Sequence, residues 1–389
     1  MIRFSTAGES HGEALAAIVE GIPAGLIIDI DKINLDLARR QKGYGRGKRM
    51  NIETDKVKIL SGIRHCRALG SPIAMLILNK DFKNWQDIMS SLSNDSDNEP
   101  LLRPRPGHAD LSGLMKYGLK DFRDILERAS ARETAARVAG GAVCKALLKE
   151  FGISVMSYTS QIGNISIKDI SINFSFNEKF IEDSVEESEV RCPDSEAEKK
   201  IKDLIDEAYS KGDTLGGKIV VIAKNVPIGL GSHTQHDLKL DGRLAQSLVS
   251  IQAIKAVEFG EGVKLAELFG SEAHDEIFYD KSKRFYRQTN RAGGIEGGMS
   301  NGEPIVITCT MKPIPSLVNS LYSVNLKTKE SAKAEIVRSD VCAVPAVGVV
   351  AEAAVAIELA NALTEKFGGD AIEDIKKRVN DYKERIKSI

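Results

Sequence analysis

Short apolar runs separated by glycine turns fill the first third of the chain. Residues 15–19 read as a strand that ends at Gly21-Ile22-Pro23-Ala24-Gly25, and residues 26–30 follow as a second β-type run. Residues 71–78 predict a strand opened by a Gly-Ser-Pro turn. At Asp121 the period lengthens. Residues 121–151 carry helical spacing, with Asp121 placed as N-cap and Gly152 as the stop. Residues 215–223 predict a strand, 238–258 a helix, 302–308 a strand, and 352–367 and 370–386 two closing helices. Gly302-Glu303-Pro304-Ile305 repeats the Gly-x-Pro-Ile opening of Gly70-Ser71-Pro72-Ile73, a short echo that points to internal duplication. The most apolar stretch, 341–351, holds Pro345 and Gly348 and stops at Glu352, so it reads as a buried turn and helix rather than a bilayer span. Strands and helices recur without a phosphate-binding glycine fingerprint between them, which favours α+β over a Rossmann-like sheet.

Composition narrows this picture. The 389 residues carry 54 Lys+Arg against 55 Asp+Glu, with 42% hydrophobic and 28% charged residues. Such a balance excludes a globally basic nucleic-acid coat, a disordered acidic tail and a collagen-like or disulfide-stapled peptide. Cys66, Cys144, Cys192, Cys309 and Cys342 form no C-x-x-C pair, and each is expected as a small buried thiol in a reducing cytoplasm. The first residues lack the apolar core of a signal peptide, so neither membrane nor export is expected. The polar stretch 90–99 is too short for an interdomain linker, and residues 1–389 are expected as one domain.

Charge placement says more than its sum. Residues 178–207 hold twelve acidic and five basic side chains, a local −7, and read as a solvated surface loop and helix, the helix over 199–209. Residues 39–49 hold six cations and no acid, with glycines that let the backbone approach a ligand. Arginine forks there match phosphate and carboxylate oxygens. The spacing is not that of a P-loop, and a nucleic-acid patch is the alternative.

Four further segments could carry chemistry. In Arg103-Pro104-Arg105-Pro106-Gly107-His108-Ala109-Asp110, stiff prolines lead to a histidine that Asp110 could orient, a natural proton donor near neutral pH. Gly8-Glu9-Ser10-His11-Gly12 places a second histidine between glycines and is not a nucleophile elbow. In residues 127–134, Ser130 near a helix start suits a phosphate or flat ring at the backbone, with an Ala-rich buried helix as the alternative. Arg338-Ser339-Asp340 stands at the mouth of the apolar stretch, as a site pair or a structural ion pair. His233 and His236 lack a third ligand nearby and read as surface polar residues, with no metal site expected.

Together these segments resemble the chorismate synthase family. Residues 8–23 resemble its first signature, 127–134 the second and 338–353 the third. Residues 39–50, 103–110, 289–300 and 312–315 also match, so the likeness runs along almost the whole chain in order. Glycine and threonine are usual in the family where Cys66 and Ala68 stand, asparagine at Arg291 and threonine at Ser316. The resemblance implies a β-α-β sandwich, a helical layer between two antiparallel sheets, assembled as a homotetramer. It implies anti 1,4-elimination of phosphate from 5-enolpyruvylshikimate 3-phosphate, the last step of the shikimate pathway, with reduced FMN required but no net redox change. His11 is then the donor to the departing phosphate, His108 the acid that keeps the reduced flavin protonated, and Asp340 the residue that works with the flavin to remove the C6 proton. Ser10, Arg40, Arg46, Arg49, Arg132 and Arg338 become substrate contacts. Ser130, Ala131, Arg132, Gln252, Ala253, Gly297, Lys312, Pro313, Ile314, Pro315, Ser316 and Arg338 become flavin contacts.

Whether NADPH or an external flavin reductase supplies the electrons stays open at this level; no reductase module is visible, which favours the external source. Two rivals have distinct signatures. A flavin-dependent oxidoreductase would consume reduced FMN stoichiometrically, and a nucleic-acid-binding protein would retain DNA or RNA in a salt-sensitive way that substrate does not compete away.

Overall fold

The computed structural model describes residues 1–47, 52–92, 99–167, 178–282 and 284–389. The first half of the chain runs β1 (Arg3–Ala7), β2 (Ala14–Glu20), α1 (Ile30–Gln41), β3 (Val57–Ile59) and β4 (Ile73–Leu78). Three helices follow: α2 (Asp110–Tyr117), α3 (Arg123–Ala129) and α4 (Thr134–Lys149). The second half opens with β5 (Ser154–Ile162), α5 (Glu178–Glu187), α6 (Ser195–Ser210), β6 (Gly217–Lys224), α7 (Leu240–Val249) and β7 (Ile254–Phe259). It continues through the short α8 (Gly270–Ala273) to β8 (Ile305–Met311), α9 (Val344–Phe367) and α10 (Ile372–Lys387).

Strands β1-β2-β4-β3 form one antiparallel sheet. Strands β5-β6-β8-β7 form the other in the same first-second-fourth-third order, with a short strand, Ile165–Ser166, added beside β5. With α2 and α3 set aside in the first half and α5, α6 and α8 in the second, each half lays down two strands, a helix, two strands and a long helix. The Gly-x-Pro-Ile echo falls at the start of the fourth strand in both, where Gly70 (φ +80°) and Gly302 (φ +96°) take left-handed turns open to glycine. The duplication suggested by four residues is therefore visible as topology.

Helices α1, α4, α7 and α9 make the layer between the sheets, α4 lying on β2 and β4, α9 on β5 and β6, and the two long helices on each other. That is the α+β, β-α-β sandwich expected. Helix α9 is apolar enough and long enough to cross a bilayer, yet its residues from Val344 to Ala356 are buried against protein. The α4–α9 crossing is close because Gly141 faces Ala353: a Cβ there would stand 2.3 Å from the Ala353 Cβ and 2.5 Å from its Cα. Gly141→Ala is expected to push the helices apart and cost about 1–3 kcal/mol. Urea unfolding checks this, and an unchanged midpoint would show that the crossing has room.

Three expected elements differ. The run 26–30 is not a strand; Ile27 makes a single bridge to Arg67, and helix α1 begins at Ile30 with Asp29 as its cap. The helix expected over 121–151 breaks at Ser130, whose ψ of 142° is extended, giving α3 and α4. The helix expected over 238–258 ends at Val249, and its second half is strand β7, because the β-branched Ile254 and Val257 pair with Met311 and Cys309. Part of the polar loop 90–99 lies outside the described residues.

Candidate functional site

The ends of β1, β4 and β8 deliver the candidate loops, and hydrogen bonds between them build the site. After β1, Gly8 (φ +105°) turns the chain back, where any Cβ would strike the Ala14 carbonyl at 2.4 Å. The loop that follows sets Ser10 and His11 against α3. Ser10 N–H donates to the Glu127 carbonyl (3.0 Å), and His11 N–H to Glu127 Oε2 (2.7 Å). The His11 ring places Nδ1 2.8 Å from Glu127 Oε1 and stacks on Trp85 at 3.9 Å. Ser130 Oγ donates to Ser10 Oγ (3.1 Å), so the break between α3 and α4 is tied to this loop.

At that break Ala131 and Arg132 form one turn, with Ser130 Oγ accepting from Arg132 N–H. Arg132 is buried: Nε donates to Asn79 Oδ1 (2.9 Å) and Nη1 to Asp55 Oδ2 (2.7 Å). Its Nη2 is buried without a hydrogen bond among the described residues, 3.9 Å from Glu53 Oε2. Arg40, in the last turn of α1, donates to Thr134 Oγ1 (2.9 Å) and the Ala131 carbonyl (3.0 Å). Burial lowers the Arg40 pKa below the usual guanidinium range, and the like charges of Arg132 and Arg46 lower it further against the pull of Asp55. A bound anion would relieve that crowding.

Arg46 reaches Asp340 Oδ2 (3.0 Å), while Gly47 N–H donates to Asp340 Oδ1 (2.6 Å). The sequence suggested a pairing of Arg338 with Asp340. The structure corrects this: Arg338 reaches Asp81 Oδ2 (3.1 Å), and Asp340 belongs to Arg46. Arg39 also leaves the expected cationic loop. One residue along a helix turns about 100°, so while Arg40 faces the site, Arg39 points to Asp36, Glu186 and the buried Glu352. The acidic segment is accordingly more than a solvated face, for Asp206 also accepts from Tyr44 Oη (2.8 Å) and latches the glycine loop to α6. Arg49 lies outside the described residues.

The second histidine sits on the loop before α2, tied to residues 312–316. Gly107 takes φ +79°, and His108 Nδ1 stands 2.5 Å from Asp110 Oδ1 and 3.0 Å from Arg105 Nη2. Arg105 braces the same carboxylate through Nε (2.9 Å) and Nη2 (3.1 Å) and donates from Nη1 to Ser316 Oγ (2.6 Å). Burial would raise the Asp110 pKa, but bonds from His108 and Arg105 outweigh it and hold it down at about 2. Lys312 Nζ donates to the Gly107 carbonyl, Ile314 O accepts from Thr214 Oγ1 (2.7 Å), and Ser316 O from Ser339 Oγ (2.7 Å). Residues 312–316, including Pro313 and Pro315, therefore join the His108 loop to Asp340. Ala253, at φ +69°, accepts from Lys312 N–H through its carbonyl (3.0 Å). Gln252 Nε2 donates to Glu133 (3.3 Å), leaving Oε1 buried and without a hydrogen bond among the described residues.

Gly297 lies at the turn between Ile295–Glu296 and Met299–Ser300, with open space where a side chain would be, and no hydrogen bond links it to the other candidates among the described residues. Cys66 and Arg291, two of the departures, are spectators here. Cys66, expected as a buried thiol, is instead exposed on a turn, and Arg291 pairs with Glu261 at 3.5 Å while its N–H is held by Asp275. Sequence reasoning missed Asp55, Asn79, Asp81 and Trp85. Asn79 and Asp81 follow an apolar strand directly, a strand-end signal that could have found them; Asp55 and Trp85 had none. His233 and His236 are exposed, as expected.

Comparison with known proteins gives the family and the fold. The family model described as chorismate synthase matches residues 2–364. A curated chorismate synthase of Endomicrobium trichonymphae is 72% identical over 389 residues, all of both chains, and that of Aquifex aeolicus is 53% identical over 100% of this chain and 98% of its own. A crystal structure of chorismate synthase superposes with a TM-score of 0.81 at 44% identity, covering 100% of this chain and 99% of that one.

Proposed function

The chain belongs to the chorismate synthase family and is a carbon–oxygen lyase that eliminates phosphate from 5-enolpyruvylshikimate 3-phosphate to give chorismate, and we propose that the site just described performs this reaction with reduced FMN. The observation that carries the assignment is the convergence of Arg40, Arg46 and Arg132 with Asp340 between two histidine–carboxylate pairs. The residues fit a flavin nucleotide: Gln252 Oε1 and Arg132 Nη2 are a buried acceptor and donor without hydrogen-bond partners among the described residues. Ser130, Ala131, Ala253, Gly297, residues 312–316 and Arg338 would complete its contacts. Reduced flavin would supply electron density to the substrate as the C–O bond breaks.

The protein's own part is electrostatic and acid–base. Negative charge grows on the departing phosphate, and preorganised guanidinium groups stabilise it by several kcal/mol. These arginines stand ready in pairs with carboxylates, so substrate exchanges one set of anions for another rather than entering an empty cationic cavity. His11 gives its proton to the phosphate, His108 holds one for the reduced ring, and Asp340 accepts charge or proton on the C6 side once Arg46 turns to the substrate.

Arg46→Ala is expected to raise the substrate KM about tenfold or more, the scale of a lost charge-assisted bond. An unchanged KM would remove Arg46 from the substrate site. The decisive experiment is anaerobic phosphate release from 5-enolpyruvylshikimate 3-phosphate with and without chemically reduced FMN. Release only with the flavin, which stays reduced throughout, is the expected result; stoichiometric flavin oxidation would overturn it.

The proposal also includes a homotetramer, one domain over 1–389, a cytoplasmic setting consistent with five free thiols, and electrons from NADPH or an external flavin reductase. Stable reduction of bound FMN on adding NADPH to the purified chain separates those two sources.

A further inference from the structure

Glu127 is a buried carboxylate with an unusual use of its charge. It is 2% exposed, where an ionised carboxylate is costly unless compensated. Six of the other buried carboxylates meet that cost with a cation: Glu53 and Asp55 have Arg132, Asp81 has Arg338, Asp110 has Arg105, Glu133 has Arg137, and Glu352 has Arg39, Lys145 and Arg191, while Asp275 is held by Thr289 and two main-chain N–H groups. Glu127 has no arginine or lysine among the described residues. Arg128, next to it, turns instead to the carbonyls of Thr6 and Gly8. Both Glu127 oxygens go to one residue, Oε2 to the His11 main-chain N–H (2.7 Å) and both to the His11 ring, with Nδ1 2.8 Å from Oε1 and 3.0 Å from Oε2. A purely structural tie would need only a neutral acceptor.

The surroundings leave the imidazole little freedom. Trp85 lies against one face at 3.9 Å with 22° between the planes. Asn79 Nδ2 donates to the carbonyls of Glu9 (3.2 Å) and Gly12 (2.7 Å), which holds the loop on both sides of His11. With the main-chain N–H and Nδ1 both directed at one carboxylate, ring plane and tautomer are set together.

We propose that Glu127 is the positioning residue for His11: it keeps Nδ1 protonated and the ring seated on Trp85, so that the proton given to the departing phosphate leaves from Nε2. This rests on the assignment of His11 as the donor. The transfer balances simply: the Nε2–H bond breaks, a phosphate O–H bond forms, and neutral imidazole remains with Nδ1–H still on Glu127. A glutamine at 127 would disturb this. It removes the anion that stabilises imidazolium, and with its amide oxygen accepting from the His11 main-chain N–H its NH₂ takes the Oε1 place, where it competes with Nδ1–H for the ring.

The test is steady-state kinetics with chemically reduced FMN on His11→Ala, Glu127→Gln and the double variant. Glu127→Gln is expected to lower kcat by about 10²-fold with KM within twofold. The double variant is expected to be no slower than His11→Ala alone. Wild-type kcat in Glu127→Gln, or a further loss when it is added to His11→Ala, would overturn the proposal. Wild-type turnover in His11→Ala would instead overturn the donor assignment beneath it. Trp85 is the only tryptophan, so its emission reports whether each variant keeps the loop folded. Should Glu127→Gln unfold, Glu127→Asp keeps the charge with a shorter reach, and the same absence of further loss on the His11→Ala background is required of it.

Discussion

His108→Ala is expected to lower turnover with chemically reduced FMN by about 10²-fold or more, the usual scale for a general acid. The fold should survive the change. Asp110, the ring's partner, loses the bond that does most to lower its pKa but keeps two from the Arg105 guanidinium, so no buried anion is stranded without a cation. The loss should therefore appear in kcat, while KM, set by the arginines, changes little. His108→Gln offers a hydrogen bond but no acid and should be as slow as alanine. Near-normal turnover in either variant would end the acid assignment and leave His108 as a brace for the 312–316 segment.

The architecture was legible wherever apolar period and turn chemistry agreed. Strands β2, β4, β6 and β8 stood out because glycine turns bound them on one side and alternating or continuous apolar positions filled them. The same logic failed for residues 238–258, where a helix passes into a strand after only a few residues and the apolar spacing suits both. Helix α1 was hidden by its own composition: Asp31, Lys32, Asp36, Arg39 and Arg40 read as polar, and only tertiary packing of Ile33 and Leu37 reveals the buried face. For the site, sequence brought out the glycine-flanked histidines and the arginine-rich loop, whose composition is unusual. It did not reveal who pairs with whom. Arg39 and Arg40 are chemically alike and adjacent, yet helix geometry sends one to a structural network and the other to the site. Near-neutral net charge turns out to reflect contact as well as cancellation, since Glu186 and Asp206 from the acidic segment hold Arg39 and Tyr44 from the basic one.

The largest stability effect is expected from that structural network. Glu352, midway along α9 and 0% exposed, accepts from Arg39, Lys145, Arg191 and Ser157 at 2.7–3.1 Å. It joins α1, α4, β5 and the segment after α5 to the central helix. Burial would raise its pKa, but Lys145, Arg39 and Arg191 outweigh burial and hold it well below the ordinary value of 4.5. Glu352→Gln withdraws the shared buried carboxylate from three cations that keep only Asp36 and Glu186 nearer the surface, and removing one partner of a buried ion cluster costs about 3–5 kcal/mol. The pH dependence gives the sign. A carboxylate with a depressed folded pKa contributes its full stabilisation above its unfolded value and loses it progressively as pH falls below that value. Urea unfolding should therefore show a constant gap between wild type and Glu352→Gln from about pH 8 to pH 5, narrowing below about pH 4.5. A gap that persists unchanged into acid would mean that the amide disrupts packing rather than charge. The absence of any gap at neutral pH would mean that the cations find other partners, and that Glu352 does not hold the helical layer together.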